Sequence, residues 1–209
     1  MAYSEFELSD LTPKLGVAVA DHPDLFPGVP GVPLSPAVEG LLRLYFPLAI
    51  ANSTEKARSE LLIAPVLADA REQLGRKVSL FSGWDFVVDR SRGLNGVCDY
   101  ILCRSPQQEF ITAPVAVVVE AKNENIKGGL GQCGAEMVAA RLFNERAGTG
   151  IETVFGCVTS GNVWRFLRLK ENDLLIEQTE YHLLTQSDKI VGILLHILRE
   201  PAGAAGQAA

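Results

Sequence analysis

Val115 to Lys122 reads Val-Ala-Val-Val-Val-Glu-Ala-Lys, and it restricts the fold more than any other stretch of this chain. A run of apolar, mostly β-branched residues favours a buried strand, and such strands belong in sheets whose faces are covered by helices. Residues two apart on a strand project to the same side, so Glu120 and Lys122 should leave the end of this strand together. A carboxylate and an amine are thereby placed on a rigid support.

The rest of the chain supplies one domain around that strand. It has 209 residues, 22.6 kDa and 47% hydrophobic content, enough for one core. Residues 1–34 carry Pro13, Pro23, Pro27, Pro30 and Pro33 and are expected to form an arm without regular structure. Residues 35–200 are expected to form a single α/β domain, and 201–209 a disordered tail. Ser35-Pro36 caps a helix over 37–51 whose apolar content predicts burial, with Pro47 disturbing it. A second helix should run from Ser53 or Thr54 to Leu74, bent at Pro65. Its apolar series Ile63, Leu67, Ala70, Leu74, extended backwards, reaches Glu60 and turns it to the core, whereas Glu55 reads as a solvated first-turn residue.

Lys77 to Val88 predicts a strand with a bend at Gly83, and Gly96 to Cys103 the next one, where Asp99 interrupts an apolar face. Behind Lys122 a glycine-opened helix is expected over 130–145, then a hairpin turning at Gly161-Asn162, a short strand near 174–178 and a final helix over 189–199. The fold class is therefore α/β, a mixed sheet with helices on its faces.

A net charge of −6 and a pI near 5.1 exclude a broadly basic surface, so any nucleic-acid contact must be local. The four cysteines show no Cys-x-x-Cys spacing and read as reduced, buried thiols. No leader and no apolar run of about 18 residues is present, which predicts a soluble cytoplasmic protein with no membrane partner.

If neighbouring strands bring Asp99 beside Glu120, two like charges meet where water is scarce, which raises a pKa or recruits a cation. Hard oxygen ligands favour Mg²⁺ or Mn²⁺. Such an ion beside Lys122 can activate a water and offset charge growing on phosphorus, which is phosphodiester hydrolysis. Glu60, Gly96-Val-Cys-Asp99, Glu120-Ala-Lys122 and the following helix with Gln132 together resemble the PD-(D/E)XK nuclease superfamily, the restriction-endonuclease-like fold, over residues 60–169. The resemblance implies Asp99 and Glu120 as metal ligands, Lys122 as the group that assists the nucleophile, and Glu60 and Gln132 as catalytic supports. Two departures stand out: Val97 and Cys98 precede Asp99 where the family name has a proline, and Glu136 stands four residues after Gln132 where one branch has tyrosine.

Gly129-Leu-Gly-Gln-Cys-Gly134 matches a dinucleotide fingerprint, but Asn123 to Gly128 separate it from the strand, so it reads as a close-packing helix start. His22, His182 and His196 are dispersed and give no zinc spacing. Trp84, Trp164, Phe86 and Phe166 read as core aromatics. Arg90, Arg92, Lys127 and Arg141 are the candidates for phosphate contacts. The expected function is a Mg²⁺- or Mn²⁺-dependent nuclease acting on DNA. Its alternatives are an idle nuclease-fold protein that binds nucleic acid or serves in assembly, and an α/β nucleotide-binding protein. A homodimer is expected if the substrate is a duplex, and a monomer suffices for single strands or flaps.

Overall fold

The computed structural model describes residues 1–199, so the expected tail at 201–209 lies outside the described residues. In chain order the elements are α1 (Leu11–Leu15), β1 (Ala18–His22), α2 (Pro36–Asn52), α3 (Glu55–Arg58), α4 (Ala64–Gln73), β2 (Ser79–Asp85), β3 (Val97–Cys103), β4 (Val115–Ala121), α5 (Ile126–Arg146), β5 (Thr153–Thr159), β6 (Val163–Lys170), β7 (Asp173–Glu177), β8 (Tyr181–His182) and α6 (Leu183–Leu198). One mixed sheet runs in the order β1-β7-β6-β5-β4-β3-β2, with β8 paired to β6. β4 lies in its interior, antiparallel to β3 and parallel to β5, and every residue of β4 is buried.

The sheet separates two cores. On one face Leu62, Val66, Leu67, Ile190 and Leu194 of the helical layer pack on Val117, Val119, Trp164 and Phe166. On the other, α5 packs on Ile101, Val118, Val154, Val158 and Leu167. β4 serves both because successive side chains point to opposite faces.

The arm differs from expectation. Residues 1–34 hold short 3₁₀ turns at Tyr3–Glu5 and Leu8–Asp10, then α1 and β1, and β1 pairs in parallel with β7 as an edge strand. Tyr3, Phe6, Leu11, Leu15 and Val17 are buried in the second core. α2 also differs. Ser35 caps it as expected, its Oγ accepting from the Val38 N–H, but Leu44 and Leu48 are 68% and 55% exposed. An apolar helix need not be buried on all sides, and here one side meets residues 55–73 while the other faces solvent.

α5 begins at Ile126, earlier than expected, because the Asn125 side chain caps it by accepting the Gly128 N–H at 3.0 Å. Its glycines are contact points. A methyl group at Gly129 would meet Val158 and Lys122, one at Gly131 would run into the backbone of Phe6 and Glu7, and one at Gly134 would come within 2.5 Å of Leu11. The fingerprint-like spacing thus seats α5 between sheet and arm. All four cysteines are free and buried. Among the described residues no helix is long and apolar enough to cross a membrane.

Candidate active site

The site forms where β3 and β4 part. Their paired register ends at Tyr100 opposite Val119, and the Ala121 N–H beyond it goes to Asp99 Oδ2 at 2.8 Å. A side chain closes the ladder there, which holds the Asp99 carboxylate beside the end of β4. The Lys122 N–H ties the other flank by donating to the Thr159 carbonyl of β5 at 2.8 Å.

Glu120 is 1% exposed and faces α5. Lys122 Nζ donates to its Oε1 at 2.5 Å, and Gln132 Nε2 donates to its Oε2 at 2.8 Å. Gln132 Nε2 also reaches Glu136 Oε1 at 3.2 Å, and its Oε1 faces Lys122 Nζ at 3.4 Å. Glu136 is fully buried, and its Oε2 has no hydrogen-bond partner among the described residues.

Burial and then the charge of Asp99 push Glu120 up to about 8, against the pull of Lys122. Burial works to lower Lys122, but the charge and hydrogen bond of Glu120 outweigh it and leave the amine above its ordinary value. Burial, then Glu120, raises Glu136 well above the carboxylate range. The cluster is thus short of positive charge, with three carboxyls against one amine.

Asp99, Glu120 and Lys122 are brought together as their spacing suggested, and Gln132, named only by the resemblance, joins them. Glu60 is not. Its side chain is 59% exposed and pairs with Lys56 at 2.8 Å, because Ser59–Ile63 forms a π-helical turn in which the Ala64 N–H bonds the Ser59 carbonyl. The wider turn rotates the preceding residues off the expected stripe. Glu55, assigned to solvent by its sequence position, is the helical acid whose charge bears on both Glu120 and Lys122.

The phosphate candidates also divide. Lys127 is exposed on the first turn of α5, next to the loop that leaves the site. Arg141 lies about 14 Å further along that helix than Gln132 and is taken up by Asn172 and Glu145, away from the site. Arg90 and Arg92 occupy a 3₁₀ turn between β2 and β3, and Arg92 turns to the Leu15 carbonyl of the arm. Arg58 was not signalled by the sequence. It is buried, and its guanidinium donates to Asn123 Oδ1 and the Ser160 carbonyl, pinning α3 to the loops after β4 and β5. Trp164, Phe166 and Phe86 are core as expected, but Trp84 is 38% exposed.

The donor set can be tested against a divalent cation. Among the described residues no three His, Cys, Asp or Glu side chains gather into a metal cage. Two converging carboxylates, one buried and one half-buried, fit an ion that keeps most of its water, as Mg²⁺ and Mn²⁺ do.

Compared with known proteins, the chain matches no family model, no curated protein and no solved structure.

Proposed function

We propose that this chain is a metal-dependent nuclease of restriction-endonuclease-like architecture that hydrolyses phosphodiester bonds of nucleic acid, with DNA as the first substrate to test. The observation that carries the reading is the cluster at the parting of β3 and β4. There Asp99 accepts the Ala121 N–H at the end of β4, Lys122 binds Glu120, and Gln132 contacts both members of that pair.

Asp99 and Glu120 would hold the ion, which when bound polarises the phosphodiester and lowers the pKa of a water. Lys122 is half-buried, so its charge is weakly screened, and it can orient the attacking water and offset charge on the phosphate oxygens. Gln132 fixes the direction of the Glu120 carboxylate, and Glu55 adds negative charge from the helix side.

Thermal melts with and without Mg²⁺ or Mn²⁺ test the ion site. An ion at about 100 times its Kd should raise the Tm by roughly 5 to 10 °C, and Asp99→Asn should abolish the rise. Cleavage of plasmid and single-stranded DNA by wild type and Lys122→Ala tests the chemistry, with a loss of about a hundredfold or more expected. Equal cleavage by both proteins would remove Lys122 from the mechanism.

One observation favours the idle reading. Both Glu120 oxygens already have partners within the chain. A melt indifferent to Mg²⁺ and Mn²⁺, with no cleavage, would select that alternative.

A further inference from the structure

The side-chain amide of Gln132 is shared between two carboxyl groups. Its Nε2 donates to Glu120 Oε2 at 2.8 Å and to Glu136 Oε1 at 3.2 Å. The two acceptors are tied to it differently. Glu136 stands one turn further along α5, so helix geometry keeps it within reach of Gln132 whatever happens at the sheet. Glu120 belongs to β4, across the packed interface, and holds Lys122 on its other oxygen.

A cation held by Glu120 needs one of that carboxylate's two oxygens. Lys122 donates to Oε1, and the proposed chemistry keeps Lys122 there. The oxygen to be freed is therefore Oε2, whose hydrogen-bond partner among the described residues is Gln132. Losing a charged acceptor in a half-buried place is costly for an amide unless another acceptor takes over its N–H. Glu136 offers one. It is fully buried and already holds Gln132, and its Oε2 has no hydrogen-bond partner among the described residues. Buried polar atoms are nearly always paired, so a spare oxygen at this place calls for a use.

We propose that Glu136 is a positioning residue for Gln132: the Gln132 amide latches Glu120 Oε2 until an ion binds, then passes wholly to Glu136 and leaves that oxygen to the cation. The inference rests on the nuclease reading for the ion and on the shared amide for the latch. It reconciles the two partnered oxygens of Glu120 with an ion held by Asp99 and Glu120. Glu136 acts through Gln132 and touches neither ion nor substrate. The rival account is a plain attraction of the Glu136 charge for the ion, and the two part at Glu136→Gln, which removes the charge but keeps an oxygen acceptor.

Titration of the full chain with Mn²⁺, read by Tm and by the spin resonance signal of free Mn²⁺, gives a Kd without reference to cleavage. With Glu136 gone the amide has only Glu120 to hold. Glu136→Met should therefore weaken Mn²⁺ binding about tenfold, as expected for one hydrogen bond to a charged group, while Glu136→Gln should stay within about twofold of wild type. Gln132→Ala removes the latch and should bind Mn²⁺ more tightly than wild type. Adding Glu136→Met to Gln132→Ala should change Kd no further. Equal weakening in Glu136→Met and Glu136→Gln, or weakening that persists in the Gln132→Ala background, would assign the effect to charge and overturn the latch. So would an unchanged Kd in Glu136→Met, or looser binding in Gln132→Ala, a variant at a half-buried position that keeps the test in force if Glu136→Met folds poorly. A wild type indifferent to Mn²⁺ in both readouts would sink the ion site and the latch with it. Mn²⁺ binding by wild type with no coupling between Gln132 and Glu136 would remove the latch and leave the nuclease reading standing.

Discussion

Glu177 and Glu120 are both buried acids with raised pKa values, yet one belongs to a candidate site and the other does not. Glu177 ends β7, accepts from Tyr181 Oη at 2.8 Å and the Leu25 N–H at 3.2 Å, and leaves Oε2 without a hydrogen-bond partner among the described residues. Burial, with a further push from Asp24, takes it up to about 7. In the unfolded chain it would titrate near 4.5. Between those values the unfolded state gives up a proton that the folded state keeps, so stability falls as pH rises through the window and the loss is complete above 7. Glu177→Gln should therefore flatten part of the decline between pH 5 and 8, gaining roughly 1–3 kcal/mol at the alkaline end relative to the acid end. Urea melts of both proteins across that range check it, and parallel curves would show that Glu177 does not carry the proton. Glu120 and Glu136 slope the same way, which is why the difference between the curves is the informative quantity. What separates Glu120 is geometry, since it shares a strand end with a second carboxylate and an amine.

The helix before the sheet shows what an element can hide. Counting back from Ile63 assumes 3.6 residues per turn, but each residue added by a π turn rotates the preceding chain by about 100°. Pro65 helps explain it, for its ring cannot donate a backbone hydrogen bond and crowds the carbonyl four residues earlier. The consequence is that Glu60 faces Lys56 in solvent, Arg58 is buried, and the charge of Glu55 adds a small upward push to Lys122. Glu60→Gln should leave cleavage and Tm essentially unchanged, whereas Glu55→Gln should lower cleavage about tenfold. Single-turnover rates of the two variants decide it, and the opposite ranking would mean that the turn is α-helical in solution. Apolar periodicity could not encode this, because it records which residues are buried and not where a turn widens. The same limit applies to α2, where Leu44 and Leu48 are apolar without being buried, and to β1, a five-residue edge strand between Gly16 and Pro23 whose partner β7 lies some 150 residues away. β4 was legible because an interior strand needs apolar side chains on both faces, a demand written in consecutive residues. The association of Asp99, Glu120 and Lys122 was legible for a related reason, as each sits within two residues of a strand end, whereas Gln132, in the first two turns of α5, was suggested by the resemblance alone.

The two cores of the molecule are closed in different ways, and the second depends on the first residues of the chain. Tyr3, Phe6, Leu11, Leu15 and Val17 are all at most 5% exposed there, and each large buried side chain contributes about 1.5–3 kcal/mol. Their sum rivals the whole stability of an ordinary domain, so a chain shortened to begin at Ala18 should not fold cooperatively. A gentler test uses the seat of the arm on α5. Within a helix, glycine costs about 1 kcal/mol relative to alanine, so Gly40→Ala on α2, where a Cβ meets nothing within 4 Å, should stabilise by roughly 0.5–1 kcal/mol. Gly131→Ala makes the same local gain but drives a methyl group into the backbone of Phe6 and Glu7, which no rotamer change can relieve. Overpacking against backbone should reverse the sign, giving a net loss of roughly 1–3 kcal/mol in urea melts. The loss should reach the sheet edge as well, because Tyr3 Oη donates to the Phe86 carbonyl at 2.9 Å and its N–H to the Asn95 carbonyl, holding the connection between β2 and β3. Amide exchange in residues 86–96 should therefore accelerate in Gly131→Ala and not in Gly40→Ala. If instead both alanines stabilise alike, the arm is not seated on α5 in solution, and the second core must be closed by something else.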